Sequence, residues 1–123
     1  AELAASANRG RELPHIDVAM LGVGPDGHVA SLFPGHAGLT ATGTVIPVRN
    51  SPKPPPTRLS FTSATINASA QVWLVADGAA KAEALATALQ PPSGTPTLPA
   101  GLVHGTADTL ALLDVAAAAR LVE

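Results

Sequence analysis

Residues 16 to 35 read IDVAMLGVGPDGHVASLFPG, an apolar run that a cluster of glycines cuts short, and this stretch constrains the fold more than any other. Ile16 to Leu21, interrupted only by Asp17 and stopped by Gly22, predicts a buried strand. From Asp26 onward, DGHVASLF fits the first turns of a helix with Asp26 as its N-cap. The expected unit is therefore strand, glycine loop, helix.

The rest of the chain repeats that alternation. Thr44 to Val48 and Leu59 to Thr62 predict short strands on either side of RNSPKPPPTR, whose four prolines exclude helix and make a stiff, extended connection. Gln71 to Ala76 predicts another strand, and Gly78 to Leu89 is rich in strong helix formers. The Pro/Gly/Ser/Thr-rich segment QPPSGTPTLPAG predicts a loop; Thr109 to Leu113 predicts a strand and Asp114 to Leu121 a closing helix capped by Asp114. Residues 1 to 13 resemble the tail of a helix that starts upstream, since no capping signal begins it. Alternating strands and helices favour an α/β fold with an open, mainly parallel sheet and flanking helices, Rossmann-like in outline. At 123 residues this is one domain or part of one. Aromatic residues make up only 2% of the chain against 46% hydrophobic, so the core must be built from Ala, Val, Leu and Ile.

Composition removes several classes of function. A formal net charge of -2 offers no basic excess for nucleic acid. No apolar run approaches the ~20 residues of a membrane span, and no signal-peptide layout is visible, so neither membrane insertion nor export is expected. The lack of cysteine removes disulfides, thiolate nucleophiles and thiolate metal sites and is compatible with the cytoplasm, which is the expected location. His15, His28, His36 and His104 include no pair at i, i+4 spacing, so no metal site is expected. Charge is nevertheless uneven. No Asp or Glu occurs from residue 27 to residue 76, a span that carries Arg49, Lys53 and Arg58. That segment reads either as a solvated loop or as a site for an anionic ligand.

Gly22, Gly24 and Gly27 match the spacing of a dinucleotide fingerprint, but that motif also needs an acid about twenty residues on to hold the ribose. None is present, and Pro25 removes an N–H that would have faced a phosphate. The alternative is that the glycines turn the chain sharply at the strand's carboxyl end and deliver His28 to the crevice where open α/β sheets bind ligands. In the first turn of a helix, the positive end of the macrodipole would disfavour the protonated imidazole and keep it available as a base. Asp26 would orient that ring or take up a proton itself. The bland reading, in which His28 packs and Asp26 caps, stays open on these residues alone.

LGVGPDGHVASLFPG closely resembles the signature of 6-phosphogluconolactonases, and NSPKPPPTRLSFTSATIN, residues 50 to 67, resembles the second block of that family. QVWLVADGAAKAEAL and TLALLDVAAAARL continue the likeness to the end of the chain. The resemblance covers nearly all of this sequence but only about the C-terminal half of such an enzyme. It implies a phosphosugar isomerase/deaminase-like fold, hydrolysis of 6-phosphoglucono-δ-lactone to 6-phosphogluconate, and no cofactor. The family's catalytic histidine falls on His28 and the acid of its loop on Asp26; Gly22, Gly24, Gly27, Lys53 and Arg58 become substrate-binding positions. Chemistry agrees: a lactone needs a base to activate water, donors for its oxyanion, for which the amides at Gly24 to Gly27 are candidates, and cations for its phosphate. The expected partners are a phosphorylated sugar lactone and the absent N-terminal half of the same protein.

Three rivals remain. A glucosamine-6-phosphate isomerase/deaminase would use the same histidine to open a sugar ring, and a sugar-phosphate sensor would keep the cationic loop without catalysis. A serine hydrolase through Ser31 lacks the G-x-S-x-G elbow.

Overall fold

The computed structural model describes residues 13–122, so the helical tail expected over residues 1–13 lies almost wholly outside the described residues. In chain order the strands are β1 (Val18–Gly22), β2 (Val45–Val48), β3 (Arg58–Phe61), β4 (Gln71–Ala76) and β5 (Asp108–Leu113). The helices are α1 (Ser63–Asn67), α2 (Ala82–Leu89) and α3 (Pro99–Leu102). β1, β4 and β5 form a parallel sheet in the order β1-β4-β5, while β2 and β3 pair antiparallel in a small second sheet. The fold is thus α/β and mainly parallel, with helices flanking the sheet.

Strand alternation divides the parallel sheet into two unlike faces. Val72, Leu74 and Ala76 of β4 are buried, and they join Ala19 and Leu21 of β1 and Leu113 of β5 in the core. α2 closes this face with Ala82, Leu85 and Ala88, and α3 adds Ala100. Small side chains let the helices approach closely: a Cβ on Gly101 would lie 2.2 Å from the carbonyl oxygen of Ala88. The register places Val18 and Met20, Trp73 and Val75, and Leu110 and Leu112 on the opposite face. There Met20 is 68% exposed, and Val18, Val75, Leu110 and Leu112 are also exposed.

The predicted strands appear within two residues of their expected limits, and β4 coincides with its prediction; β1, expected to be buried, instead alternates exposed and half-buried residues because one face of the sheet is open. The predicted helix from Asp26 does not form. Gly27 takes φ +87 and Ala30 φ 50, left-handed values that break a right-handed helix, and Val29 instead bridges to Val23 and Leu32. Tertiary bonds dictate this path, among them the Ser31 N–H donating to the Ser60 hydroxyl at 3.1 Å. The closing helix over residues 114–121 is a run of turns. Asp114 does accept the Ala117 N–H, as a cap would, but it also accepts the Gly78 N–H, and continuous α-helical bonding does not follow. The helix expected over Gly78 to Leu89 begins as a 3-10 turn, Ala79–Lys81, before α2. α3 stands largely where loop was expected, and α1 lies in a stretch for which the sequence predicts no element; the Thr62 hydroxyl caps α1, and Pro99 opens α3.

Candidate active site

A cleft of about 580 Å³ lies at the carboxyl ends of β1 and β4, where Gly22 ends one strand and Ala76 the other. Between Val23 and His28 the chain makes a tight loop. The Gly24 N–H donates to the His28 carbonyl and the Gly27 N–H to the Gly24 carbonyl, each at 2.9 Å. This loop aims His28 into the cleft without a helix, so no helix macrodipole acts on it; the ring is held by Asp26 instead. One carboxylate oxygen, Oδ1, accepts the His28 backbone N–H at 3.1 Å and sits 2.5 Å from His28 Nδ1.

Burial of the Asp26 carboxyl raises its pKa, but hydrogen bonds from the His28 ring and backbone, the charge of that ring and its own N–H outweigh it and hold the pKa below the ordinary value. Asp26 Oδ1 faces Nδ1, so the neutral ring that donates to this carboxylate is the Nδ1–H tautomer, whose lone pair is on Nε2; Nε2 has no hydrogen-bond partner among the described residues. The side chain of His28 is 16% exposed, enough for a small molecule to reach it. Gly24 is what permits the pair: a Cβ there would meet His28 Cε1 and Nδ1 at 2.1 Å and Asp26 Oδ1 at 2.8 Å.

The other expected site residues are not all placed alike. Gly22, Gly24 and Lys53 line the cleft with His28, whereas Asp26 stands behind the imidazole. Gly27 supports the loop from the far side, its left-handed backbone lying over Leu98. The amides of Gly24 and Gly27 are already engaged in the loop and Pro25 has none, so that stretch offers little to an oxyanion. Arg58 does not line the cleft. Its Nε donates to the Pro55 carbonyl at 3.0 Å, and its Nη2 donates to the carbonyls of Lys53 and Pro54 at 2.9 and 2.8 Å. The guanidinium clamps the proline loop and thereby holds Lys53 at the cleft.

Lys81 lines the same cleft and donates through Nζ to the Val23 carbonyl, and Asp77 lies beside it. Among the described residues, no three His, Cys, Asp or Glu side chains gather as a metal site would require.

Residues 1–112 match the family described as glucosamine-6-phosphate isomerases/6-phosphogluconolactonase. The chain belongs to this family. A curated relative from Streptomyces coelicolor, named 6-phosphogluconolactonase, is 54% identical over 110 residues, 89% of this chain and 42% of the relative. One of the same name from Mycobacterium leprae is 45% identical over 122 residues, 97% of this chain and 48% of the relative. The crystal structure of 6-phosphogluconolactonase from Leishmania guyanensis superposes with a TM-score of 0.80 at 26% identity, covering 99% of this chain and 50% of that one. The chain therefore spans about half the length of the relatives it matches.

Within the family's shared region, sequence reasoning passed over Lys81 because it sits among helix formers in GAAKAEAL, where a lysine reads as part of a solvated face. The usable signal was position. A cation in the first turn after β4 stands at the same carboxyl-end rim as the loop that follows β1.

Proposed function

We propose that the protein to which these residues belong hydrolyses 6-phosphoglucono-δ-lactone to 6-phosphogluconate, with His28 as general base. The observation that carries this reading is the Asp26–His28 pair, closed at 2.5 Å, with Nε2 unengaged at a cleft that also holds Lys53 and Lys81. Names borne by the relatives support the lactone as substrate. Nε2 takes a proton from water as the water oxygen bonds to the lactone carbonyl carbon, and the carbonyl oxygen becomes an oxyanion. Asp26 stabilises the imidazolium formed in that step. Collapse of the tetrahedral intermediate breaks the bond to the ring oxygen, which takes the proton back from Nε2 and leaves as the sugar hydroxyl. Lys53 and Lys81 provide positive charge for the phosphate or the oxyanion, with donors that the loop amides do not supply.

The exposed apolar face of the parallel sheet supports a companion reading: the remaining half of the polypeptide covers it in the whole protein. Activity therefore has to be measured on the full-length protein. Freshly generated lactone is given to that protein, to its His28→Ala variant and to buffer alone. Turnover above background that collapses in the variant is expected. If the full-length protein merely matches the background, the lactonase reading is lost, and release of ammonia from glucosamine 6-phosphate would replace it with the family's other activity.

A further inference from the structure

We propose that Phe33 is a positioning residue that holds the imidazole of His28 and the Lys53 loop in a fixed relation; the proposal rests on the lactonase reading above. The chain has only two Phe and one Trp, so a large ring is a scarce element in it. Phe33 is 1% exposed, yet it stands outside the apolar cluster that packs the sheet against α2 and α3. Its recorded ring partners are polar. The His28 ring lies 4.6 Å away between centroids at an interplanar angle of 36°, and the His36 ring lies 5.8 Å away at 53°. Arg58 Cζ sits 5.5 Å from the centroid of Phe33, within range of cation–π attraction.

One ring thus joins two parts of the site that are otherwise distant in sequence. It braces the imidazole, whose far end Asp26 already holds, and it seats the guanidinium that binds the carbonyls of Lys53, Pro54 and Pro55. Prolines carry carbonyls but no N–H, so the loop cannot hold itself by backbone pairing alone, and Arg58 supplies the missing donors. A side chain of similar volume without a ring fills the space but loses both the ring stacking and the cation–π contact.

The test uses the full-length protein with Phe33→Leu, Phe33→Tyr and Arg58→Lys. Phe33→Leu is expected to lower kcat about 10- to 100-fold through a misplaced base and to raise KM severalfold. Phe33→Tyr keeps the ring, which borders a cavity of about 140 Å³ also lined by His36 and Arg49, and both constants are expected to stay near those of the parent. Arg58→Lys preserves charge but not the fork, and raises KM about fivefold or more as Lys53 loses its support. The ring resonances of His28 in NMR spectra shift in Phe33→Leu and not in Phe33→Tyr. A residue that merely packs would lower the unfolding midpoint of Phe33→Leu and leave kcat and KM of the folded enzyme unchanged, which overturns the proposal. Should Phe33→Leu not fold, an unchanged KM in Arg58→Lys overturns the link to the loop. Retained turnover in His28→Ala is a separate failure: it removes the base assignment, and the KM of Arg58→Lys then decides whether Phe33 and Arg58 hold the Lys53 loop.

Discussion

Replacing Gly24 by Ala introduces a single methyl group where the Asp26–His28 pair has no space for it. The new Cβ would lie 2.1 Å from two atoms of the imidazole, against about 3.5 Å for an ordinary carbon contact, so the ring must retreat by about 1.4 Å. The backbone has little freedom to move instead. Gly24 is buried, its N–H is bonded to the His28 carbonyl, its carbonyl accepts from Gly27, and Val23 next to it bridges to Val29. Misplacement of a reacting group by about 1 Å can cost on the order of 100-fold in rate. That factor corresponds to about 2.7 kcal/mol of lost transition-state stabilisation. The control lies two residues away. Gly22 lines the same cleft, but a Cβ there meets nothing within 4 Å, so Gly22→Ala should fold like the parent and keep most of its turnover. The assay is kcat/KM for lactone hydrolysis by the full-length protein and both variants, with background subtracted. A Gly24→Ala enzyme as active as Gly22→Ala would refute the placement of the pair.

Two further outcomes follow from the same geometry. The Asp26 pKa lies below its ordinary value in the folded protein, so its ionised form contributes stability above about pH 4, and that contribution disappears as pH falls through the folded pKa. Urea midpoints of the parent and Asp26→Asn should therefore differ at pH 7 and converge toward pH 3; a gap that stays constant across that range counts against the pairing with His28. Gly101→Ala would set a methyl 2.2 Å from the Ala88 carbonyl and push α3 off α2, lowering stability by about 1–3 kcal/mol in thermal or urea unfolding. An unchanged midpoint would mean that the two helices are not in close contact.

How much of this was legible beforehand depended on which interactions were local. The strands were readable because each is an apolar run bounded by glycine, proline or polar residues, and β4 was predicted to the residue. His28 and Asp26 were readable as candidates because the glycines mark a turn at a strand's carboxyl end. What went wrong lay in tertiary contacts. Val29, Leu32 and Phe33 are buried at a spacing that imitates a helix, yet the left-handed Gly27 and Ala30 and the bond from Ser31 to Ser60 bend the chain otherwise. The intraloop partners of Arg58 were not legible either, because a sequence displays charge without what it binds. The three carbonyls that engage it belong to residues three to five positions earlier, two of them prolines. Lys81 was hidden by a strong helical pattern, and α3 by a proline-rich setting in which Pro99 is a helix starter rather than a breaker.

The Gly27 carbonyl accepts the N–H of Ala100 at 3.0 Å, and Leu98 lies directly beneath Gly27. Just before that support runs the mostly exposed loop from Gln90 to Thr97. Natural or engineered changes in the length of this loop are free only so far as they leave Leu98 and Ala100 in place. One that slides α3 along its neighbour alters the footing of Asp26 and His28 without touching either, so a variant made for solubility at that surface would show itself first as a slower enzyme.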